Sequence, residues 1–383
     1  MPVHTPTSQP ADGRERVLGL ARSAGFALAG VCPARVSDYV NFVRHWIAEG
    51  RHGEMAYLEN HLDTRLDPGR LLEGARSIIC VADLHSKNTD LLPHGPAPHG
   101  RIARYAFGDD YHKTIKKRLH QLADTLAAEH PGEKFRSTVD TAPILEREHA
   151  ARAGLGWVGK HTLLIHPRLG SYMLLGTIVT TMDLTDVVTA DHADVLPPTD
   201  HCGTCTRCID ACPTDCISAS GPRSVDATRC ISYLTLEHRS PIDTALHPMM
   251  GDWIAGCDVC QEVCPYNNRV RGLGIGDQED PQYHSAHTPR PPAPAVSLLE
   301  VLNWTEDDRR AGFKGSTLKR IKLDMLKRNA LIAAGNALAA GKNETLRDQI
   351  KRLADDAEQS EMVRLTAKQV LQRLERGSGP GAP

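Results

Sequence analysis

The chain of 383 residues is longer than one hydrophobic core usually supports, so its length predicts two or three domains. Hydrophobic residues make up 40% of it and charged residues 24%, with a net charge of -2, which excludes a disordered polyelectrolyte. No apolar run reaches the length of a membrane span and the first residues do not resemble a secretory signal, so we expect a soluble cytoplasmic protein without a membrane partner.

The first half of the chain alternates between helical and strand patterns. Residues 15–30 and 109–130 carry apolar side chains at helical spacing, and Asp109 or Asp110 could cap the second helix. The stretch SIICVA predicts a strand, whereas residues 86–101 are rich in turn formers and predict an exposed loop. This alternation predicts an α/β or α+β domain.

Changes in composition divide the remaining chain. Residues 186–200 and the Gly- and Pro-rich residues 271–296 are typical of linkers, and a cysteine-rich block lies between them. The chain is helical in pattern from Leu298 onward, and its Ala- and Leu-rich stripes suit HEAT-like repeats. The predicted organisation is a disordered segment 1–14, a catalytic domain 15–190, a cysteine-rich domain 191–275, a linker 276–297 and a HEAT-like helical domain 298–377.

Most of the eleven cysteines follow the spacing of iron–sulfur ligands. HCGTCTRCIDACP reads C-x2-C-x2-C-x3-C-P, a run whose fourth cysteine serves a different cluster from the first three. The later run CDVCQEVCP lacks a first cysteine, which Cys230 can supply. Two [4Fe–4S] clusters are therefore predicted, and zinc is the weaker alternative because its ribbons use separated C-x2-C pairs. The first cluster is assigned to Cys202, Cys205, Cys208 and Cys264, and the second to Cys212, Cys230, Cys257 and Cys260.

Three cysteines remain outside these two sites. Cys216 lies four residues after Cys212, but both sites are already full, so it is interpreted as a small buried residue. Cys32 and Cys80 lack metal spacing and are interpreted as core residues. Two adjacent clusters form an electron path, and the acceptor of those electrons is expected in the domain that precedes them.

The segment VDTAPILEREHAARAGLGWVGKHTLLI contains a candidate acid, Asp140. The residue follows a predicted strand and precedes Pro143, where a helix could begin. Buried against apolar walls, its carboxyl group would have a raised pKa and could donate a proton. From these residues alone, a helix N-cap is the simpler interpretation.

The same segment and four others resemble the epoxyqueuosine reductase family. The other four are ARYAFGDDYHKTIKKRL, CISYLTLEHRSPI, GCDVCQEVCPYN and FKGSTLKRIKLDMLKRNALIAAGNALA, and the resemblance covers residues 15–375. It implies reduction of epoxyqueuosine to queuosine in a tRNA anticodon loop, the last step of queuosine synthesis. It also implies that residues 15–190 bind cobalamin in its base-off form, residues 191–275 form a ferredoxin-like domain, and HEAT-like helices follow.

The resemblance further implies roles for individual residues. Asp140 would be the proton donor, kept protonated by burial beside the corrin. Two positions depart from the family pattern, His161 where asparagine is common and Tyr266 where tryptophan is common, which puts local contacts in doubt. The implied cobalamin-contacting positions are Arg65, Ala103, Asp140, Leu145, Glu146, Arg147, Gly159, Leu164 and Leu175, with Ser232 and Asp258 beside the second cluster.

A tRNA partner needs positive charge, and FKGSTLKRIKLDMLKR has six basic residues against one acid. A solvated helix face is the simpler interpretation of such a run, and the resemblance favours phosphate contact. His238 and Arg239 are a weaker candidate near the mouth of the site. The candidate tRNA contacts are thus His238, Arg239, Lys314, Lys319, Arg320 and Lys322, and Lys327 and Arg328 complete the basic run.

Two other functions remain open at the level of the sequence. A reductive dehalogenase would also pair base-off cobalamin with two clusters, although such enzymes normally carry an export signal. An electron-transfer ferredoxin on a helical scaffold would leave the first 185 residues without a role. For the reductase we expect a monomer that receives electrons from an external low-potential donor.

Overall fold

A four-stranded sheet organises the first part of the chain in the computed structural model, which describes residues 11–85, 98–185, 201–268, 284–289 and 295–377. Its order is β1-β2-β7-β4, and every neighbouring pair is antiparallel, so of the two predicted classes it is α+β. The strands are β1 Leu28–Pro33, β2 Ser77–Leu84, β3 His99–Ile102, β4 Phe135–Thr138, β5 Trp157–Val158, β6 Leu164–Ile165, β7 Met173–Thr180, β8 Trp253–Ala255 and β9 Ala295–Ser297.

Helices cover both faces of this sheet. The N-terminal region contains α1 Ala11–Ser23, α2 Val40–Ala48, α3 Ala56–Asn60, α4 Leu62–Leu66, α5 Pro68–Leu71, α6 Tyr111–Glu129 and α7 Glu146–Arg152. On one face, Ile79 and Val81 of β2 pack with Ile115 of α6. On the other, Cys80 packs with Ala150 of α7. All of β2 is buried because both of its faces are covered, which explains its continuous apolar run.

Two of the sequence predictions for this region are corrected. Residues 15–30 are not one helix: α1 ends at Ser23 and β1 begins at Leu28, because Gly25 has a φ of 80°, the left-handed backbone that terminates helices. The predicted loop 86–101 ends in a strand, β3, while residues 86–97 lie outside the described part. The SIICVA strand and the helix over 109–130 are confirmed. The predicted linker 186–200 is also outside the described residues.

A small sheet joins three distant parts of the chain. Its order is β8-β3-β9, so β3 pairs in parallel with β8 of the cysteine-rich region and antiparallel with β9, which precedes the C-terminal helices. Part of the predicted linker 276–297 therefore pairs with the N-terminal region. The helices of the cysteine-rich region are short: α8 Arg207–Asp210, α9 Ile231–Leu236, α10 Val259–Glu262 and α11 Pro265–Asn268.

The C-terminal region is helical from Leu298, as predicted. It contains α12 Leu298–Asn303, α13 Glu306–Gly312, α14 Leu323–Ala340, α15 Glu344–Asp355 and α16 Glu361–Gly377. Its core is continuous with the rest of the molecule, because Ile102, Phe107 and Ile254 belong to the same apolar cluster as Leu326 of α14. The C-terminal helices therefore pack against both preceding regions. Among the described helices, none has the length and apolarity needed to traverse a bilayer.

Candidate active site

Asp140 lies at the end of β4, on a short strained loop. It has a φ of 51°, a left-handed conformation that aspartate tolerates better than most non-glycine residues. The helix that follows begins at Glu146, and Leu145 occupies its N-cap position, so the interpretation of Asp140 as a helix cap is wrong. Instead the Asp140 backbone N–H donates to Glu146 Oε1 at 2.9 Å. The carboxylate is left to point away from its own helix.

A histidine that the sequence analysis had not selected holds this carboxylate. His112 Nε2 lies 3.0 Å from Asp140 Oδ2, and His112 Nδ1 lies 2.8 Å from Asp110 Oδ1. Lys319 donates to the other oxygen of Asp110 at 2.8 Å. Asp110 occupies the N-cap position of α6, as predicted, but its carboxylate makes no capping bond. Lys319, Asp110, His112 and Asp140 form a chain of alternating charge that ends at Asp140.

The pKa of Asp140 is shifted in the direction opposite to the expected one. Desolvation acts to raise it, but the hydrogen bond and the charge of His112 outweigh desolvation and leave the pKa below its ordinary value. Desolvation acts to lower the pKa of His112, but the carboxylates of Asp140 and Asp110 outweigh it and raise the pKa of the imidazole. Burial, with the charge of Asp140, raises the pKa of Glu146 to about 8. These shifts favour the protonated forms of His112 and Glu146.

Asp140 lies among a group of polar side chains from several elements, and this site is called the cleft below. Its side chain is 57% exposed, although desolvation is the largest single influence on its pKa. Its charge also reaches residues from several elements around the same space. The groups whose pKa it influences are Tyr57, Arg65, Tyr105, Tyr111, His112, Glu146 and Arg147.

Several of these cleft residues were missed from the sequence. Tyr111 and His112 lie within ARYAFGDDYHKTIKKRL, so the motif that carried the family resemblance also contained the signal for them. Tyr57 had no such signal, and it is 49% exposed, an unusual state for a large aromatic side chain. Its hydroxyl has a pKa raised to about 12 by desolvation and by the charge of Glu237. The structure brings these residues together from α3, the start of α6 and the end of α9.

The positions implied to contact cobalamin surround the cleft unevenly. Arg65 has a buried Nε without a hydrogen-bond partner among the described residues, so a polar group is open to a ligand. Arg147 is exposed and donates to the Thr162 carbonyl at 2.7 Å. Ala103, Gly159 and Leu164 are buried, so contacts at these positions would run through backbone atoms. Leu145, Glu146, Leu175 and Ser232 are partly exposed.

The cleft adjoins the cysteine-rich region through Ala103. A Cβ atom added to Gly256 would come within 2.5 Å of the Ala103 Cβ, so the two chain segments are in direct contact. Ala103 N donates to Ala255 O at 2.8 Å, and Arg104 N donates to the buried Asp258 carboxylate at 2.8 Å. These residues flank Cys257, which therefore lies on the cleft side of the region.

The cysteines gather into two groups that follow the crossover expected from their spacing. Around the first, burial and the nearby thiolates of Cys202, Cys264 and Cys205 together raise the pKa of Cys208 to about 11. The pKa of Cys264 is likewise raised by burial and by Cys202 and Cys205. Cys264, although distant in sequence, thus lies with the first three cysteines of HCGTCTRCIDACP.

The second group contains the fourth cysteine of that run. Burial raises the pKa of Cys257, and the neighbouring thiolates of Cys230 and Cys212 act in the same direction. Burial also raises the pKa of Cys260, and the thiolates of Cys257 and Cys230 act in the same direction. Cys208 of the first group raises the pKa of Cys260 as well. Four soft sulfur donors in each of two adjacent groups fit two iron–sulfur clusters.

The remaining cysteines are buried, as predicted. Cys32 lies in β1 and Cys80 in β2, where they pack in the same apolar cluster. Cys216 is also buried, but it is not remote from the ligand groups, because its sulfur lies 3.4 Å from the Cys212 sulfur.

The two departures from the family pattern have different local contacts. His161 is buried and accepts from Leu163 N at 3.2 Å, and desolvation lowers its pKa to about 4, so it is a neutral turn residue. Tyr266 packs edge-on against Trp157, and its hydroxyl donates to His201 O at 3.1 Å. Neither side chain contacts Asp140 among the interactions that the structure shows.

The basic segment after Phe313 is divided by the fold. Lys314, Lys319, Arg320 and Lys322 are exposed, but Lys319 pairs with Asp110 and Arg320 with Glu237. His238 is partly buried and Arg239 exposed beside the same cleft. Lys327 and Arg328 are buried in α14, so the interpretation of all six cations as one solvated face is wrong. Every residue of α14 from Met325 to Gly335 is buried, so this part of the helix is covered on all sides and these two side chains are enclosed with it.

A half-exposed carboxylate paired with a histidine, in a chain that also carries two groups of four cysteines, indicates a redox enzyme with an iron–sulfur domain. Residues 201–267 match the model of the 4Fe-4S double cluster binding domain, so two iron–sulfur clusters belong to this fold. Residues 65–141, which include Asp140 and His112, match the model described as epoxyqueuosine reductase QueG. Epoxyqueuosine reductase of Pseudomonas aeruginosa is 36% identical over 86% of both chains. The chain belongs to the epoxyqueuosine reductase family, and it is an oxidoreductase.

Other relatives agree over most of their length. Epoxyqueuosine reductase of Xanthomonas campestris is 36% identical over 91% of this chain and 93% of its own. The fold matches epoxyqueuosine reductase of Bacillus subtilis with a TM-score of 0.80 and 25% identity, over 96% of this chain and 91% of that one. In that structure the loop of the catalytic aspartate is swung out of the active site. An epoxyqueuosine reductase solved with an epoxyqueuosine-modified tRNA stem loop has a TM-score of 0.76 at 24% identity, covering 96% of this chain and all of that one.

Proposed function

We propose that this enzyme reduces epoxyqueuosine to queuosine in the anticodon loop of tRNA, the last step of queuosine biosynthesis. The reaction consumes two electrons and two protons, forms a carbon–carbon double bond where the epoxide was, and releases its oxygen as water. The observation that carries the proposal is the position of Asp140. It is the exposed end of a charged chain on a strained loop, in a cleft that touches the cysteine-rich region at Ala103 and Gly256.

Base-off cobalamin is the proposed cofactor of the cleft. When bound, it supplies low-valent cobalt chemistry that passes electrons to the epoxide. Arg65 has a buried Nε open to a polar partner, and Arg147 and the backbone at Ala103 and Gly159 offer further contacts. His112 uses both ring nitrogens on carboxylates, which fits a cofactor bound without this histidine as a cobalt ligand. Leu145, Glu146, Leu164, Leu175, Ser232 and Asp258 are proposed as additional contacts.

Asp140 is proposed to deliver a proton to the departing oxygen. His112 would return a proton to Asp140, since its Nε2 lies 3.0 Å from the carboxylate and its raised pKa favours the protonated imidazole. Asp110 orients the imidazole through Nδ1, and Lys319, half exposed, holds Asp110 at the solvent end of the chain. The side chains would thus provide a proton route from Lys319 through Asp110 and His112 to Asp140.

Electrons are proposed to arrive through the two clusters. The ligands would be Cys202, Cys205, Cys208 and Cys264 for the first cluster, and Cys212, Cys230, Cys257 and Cys260 for the second. The second group lies on the cleft side, because Cys257 directly follows Gly256, which contacts Ala103. An external low-potential donor would reduce the first cluster. We further propose a cytoplasmic monomer whose HEAT-like helices and exposed basic residues hold the tRNA.

Anaerobic purification with cobalamin supplied tests this function. We expect about eight irons and one cobalt per chain, and conversion of epoxyqueuosine to queuosine in tRNA by mass spectrometry. Asp140→Asn should keep both metals and lower turnover by about 10²–10⁴ fold, the usual contribution of general acid catalysis. Asp124→Asn, an exposed substitution on α6, is the matched control. If the protein held iron but did not bind cobalamin, it would be an electron-transfer protein. Full activity of Asp140→Asn would show that Asp140 is not the acid.

A further inference from the structure

Cys216 has no place in the proposed ligand set, yet it lies among the ligands. Its sulfur is 3.4 Å from the Cys212 sulfur, and it packs in the same cluster as Cys230. Cys216 is 6% exposed, so these contacts are shielded from water. Cys212, Cys230, Cys257 and Cys260 already supply the four sulfurs that one cluster needs, so the Cys216 thiol is left to interact with ligands rather than with iron.

The backbone of the CPTDC turn directs Cys216 toward Cys212. Asp215 N donates to Cys212 O at 3.2 Å, which closes a tight turn. Asp215 has a φ of 50°, a left-handed conformation that reverses the chain immediately before Cys216. A strained non-glycine residue at this point indicates that the surrounding structure holds the turn in place. The contact between the two sulfurs is therefore built into the loop and does not depend on a side-chain rotamer alone.

The surroundings strengthen a hydrogen bond to Cys212. The Thr214 hydroxyl lies 3.7 Å from the same sulfur, and Thr214 is fully buried. Ile217, Val225 and Val263 pack around this group and lower the local dielectric constant. The first cysteine group has a different arrangement, in which the indole N–H of Trp157 donates to Cys202 at 3.4 Å. The two proposed clusters therefore differ in the donors that contact their ligands.

We propose that the Cys216 thiol donates an S–H hydrogen bond to the cluster-bound sulfur of Cys212 and raises the reduction potential of the second cluster. A reduced cluster carries one more negative charge, so a donor to its ligand stabilises the reduced form more than the oxidised form. Cys216 acts through Cys212 and is a positioning residue. The effect falls on the cluster nearer the cleft, and so on the last transfer before the cofactor. The inference rests on the proposed ligand set, but not on the identity of the substrate.

The test is a redox titration of the anaerobically reconstituted full-length protein, followed by electron paramagnetic resonance without tRNA or cobalamin. Cys216→Ala should reduce the ratio of reduced to oxidised second cluster about tenfold at a fixed potential, equivalent to about 59 mV for one electron. The first cluster serves as the internal control and should not change. Cys216→Ser retains a donor and should titrate closer to the wild-type chain than Cys216→Ala does.

A second readout detects the proton itself. Electron–nuclear double resonance should show an exchangeable proton coupled to the reduced second cluster, lost in D2O and absent in Cys216→Ala. If the alanine variant holds less iron, Cys216→Val fills the buried site and is titrated in its place. Unchanged potentials in a variant with both clusters intact would overturn the proposal. Loss of about four irons in Cys216→Ser as well as in Cys216→Val would also overturn it, by identifying Cys216 as a ligand.

Discussion

His112 binds Asp140 from a helix that starts 29 residues earlier in the chain, with Nε2 3.0 Å from Oδ2. This contact lowers the pKa of Asp140 and raises that of His112. The shift of the Asp140 pKa is thus opposite to the one expected for a proton donor. An uncharged ligand that displaced water from the cleft would oppose the ionised form of Asp140, because desolvation already acts to raise its pKa.

The stability contributed by this pair should depend on pH. The raised pKa of His112 means that its contribution is fully present below its ordinary value of 6.5 and is lost as pH rises through the folded-state pKa. The lowered pKa of Asp140 means that its contribution is present above 3.8 and is lost as pH falls through the folded-state value. The difference in melting temperature between the wild-type chain and His112→Gln should therefore be largest between these limits.

His120→Gln is the control for this measurement, since His120 is an exposed histidine on the same helix. Its melting temperature should follow the wild-type chain at every pH. A difference for His112→Gln that stays constant from acid to alkaline pH would contradict the proposed ion pair.

The crossover of the cysteines predicts the iron content of double variants. Cys202→Ala and Cys264→Ala should each lose one cluster, and the double variant should lose no more, because both residues belong to the first group. Combining Cys202→Ala with Cys257→Ala should lose both clusters. Iron analysis with Mössbauer spectroscopy distinguishes the two patterns. Loss of about eight irons from the Cys202 and Cys264 double variant would instead indicate sequential ligation.

Arg328 should be important for stability rather than for tRNA binding. Its guanidinium is fully buried and donates to the carbonyl oxygens of Leu234, His238 and Ser240 at 2.6–2.7 Å. Arg328→Leu leaves these oxygens without donors, and we expect a loss of about 3 kcal/mol in the stability of this region. Hydrogen exchange of α14 measures the change locally.

Lys368→Leu is the control for Arg328→Leu, because Lys368 is exposed on α16. It should change stability by less than about 0.5 kcal/mol. Arg328→Lys should be intermediate, since one ammonium group cannot reproduce the planar fork of arginine. Equal exchange rates in Arg328→Leu and the wild-type chain would contradict a structural role.

Lys322 tests whether the exposed part of the basic segment contacts tRNA. It is exposed at the N-cap of α14, next to Arg320, which pairs with Glu237 at the cleft. Lys322→Gln should weaken tRNA binding and reduce the slope of log affinity against log salt by about 0.7, the value for one phosphate of a single strand. Lys351→Gln, at an exposed lysine on α15, should leave the slope unchanged. An unaltered slope in Lys322→Gln would show that Lys322 does not contact a phosphate of the tRNA.

The sequence predicted the elements and groupings whose signals are local. Cysteine spacing indicated both four-cysteine groups, because the C-x2-C-x2-C-x3-C-P run is typical of iron–sulfur ligands and assigns its fourth cysteine to the other cluster. Apolar residues at helical spacing indicated α6 and the helical C-terminal region, and a short run of β-branched and apolar residues indicated β2. Where a local signal was ambiguous, the prediction was less accurate. The helical pattern over 15–30 continued past the turn at Gly25, and β3 was missed because it follows a stretch rich in turn-forming residues.

The sequence by itself indicated the candidates for the chemistry: the cysteines by their spacing, and Asp140 and the cations after Phe313 through the family resemblance. Only the tertiary structure decided what those residues experience. It placed His112 against Asp140 and reversed the expected pKa shift, buried Lys327 and Arg328 inside α14, and set the Cys216 thiol against Cys212. Charge, burial and hydrogen bonding depend on atoms brought together from distant parts of the chain, and a linear pattern does not contain those distances.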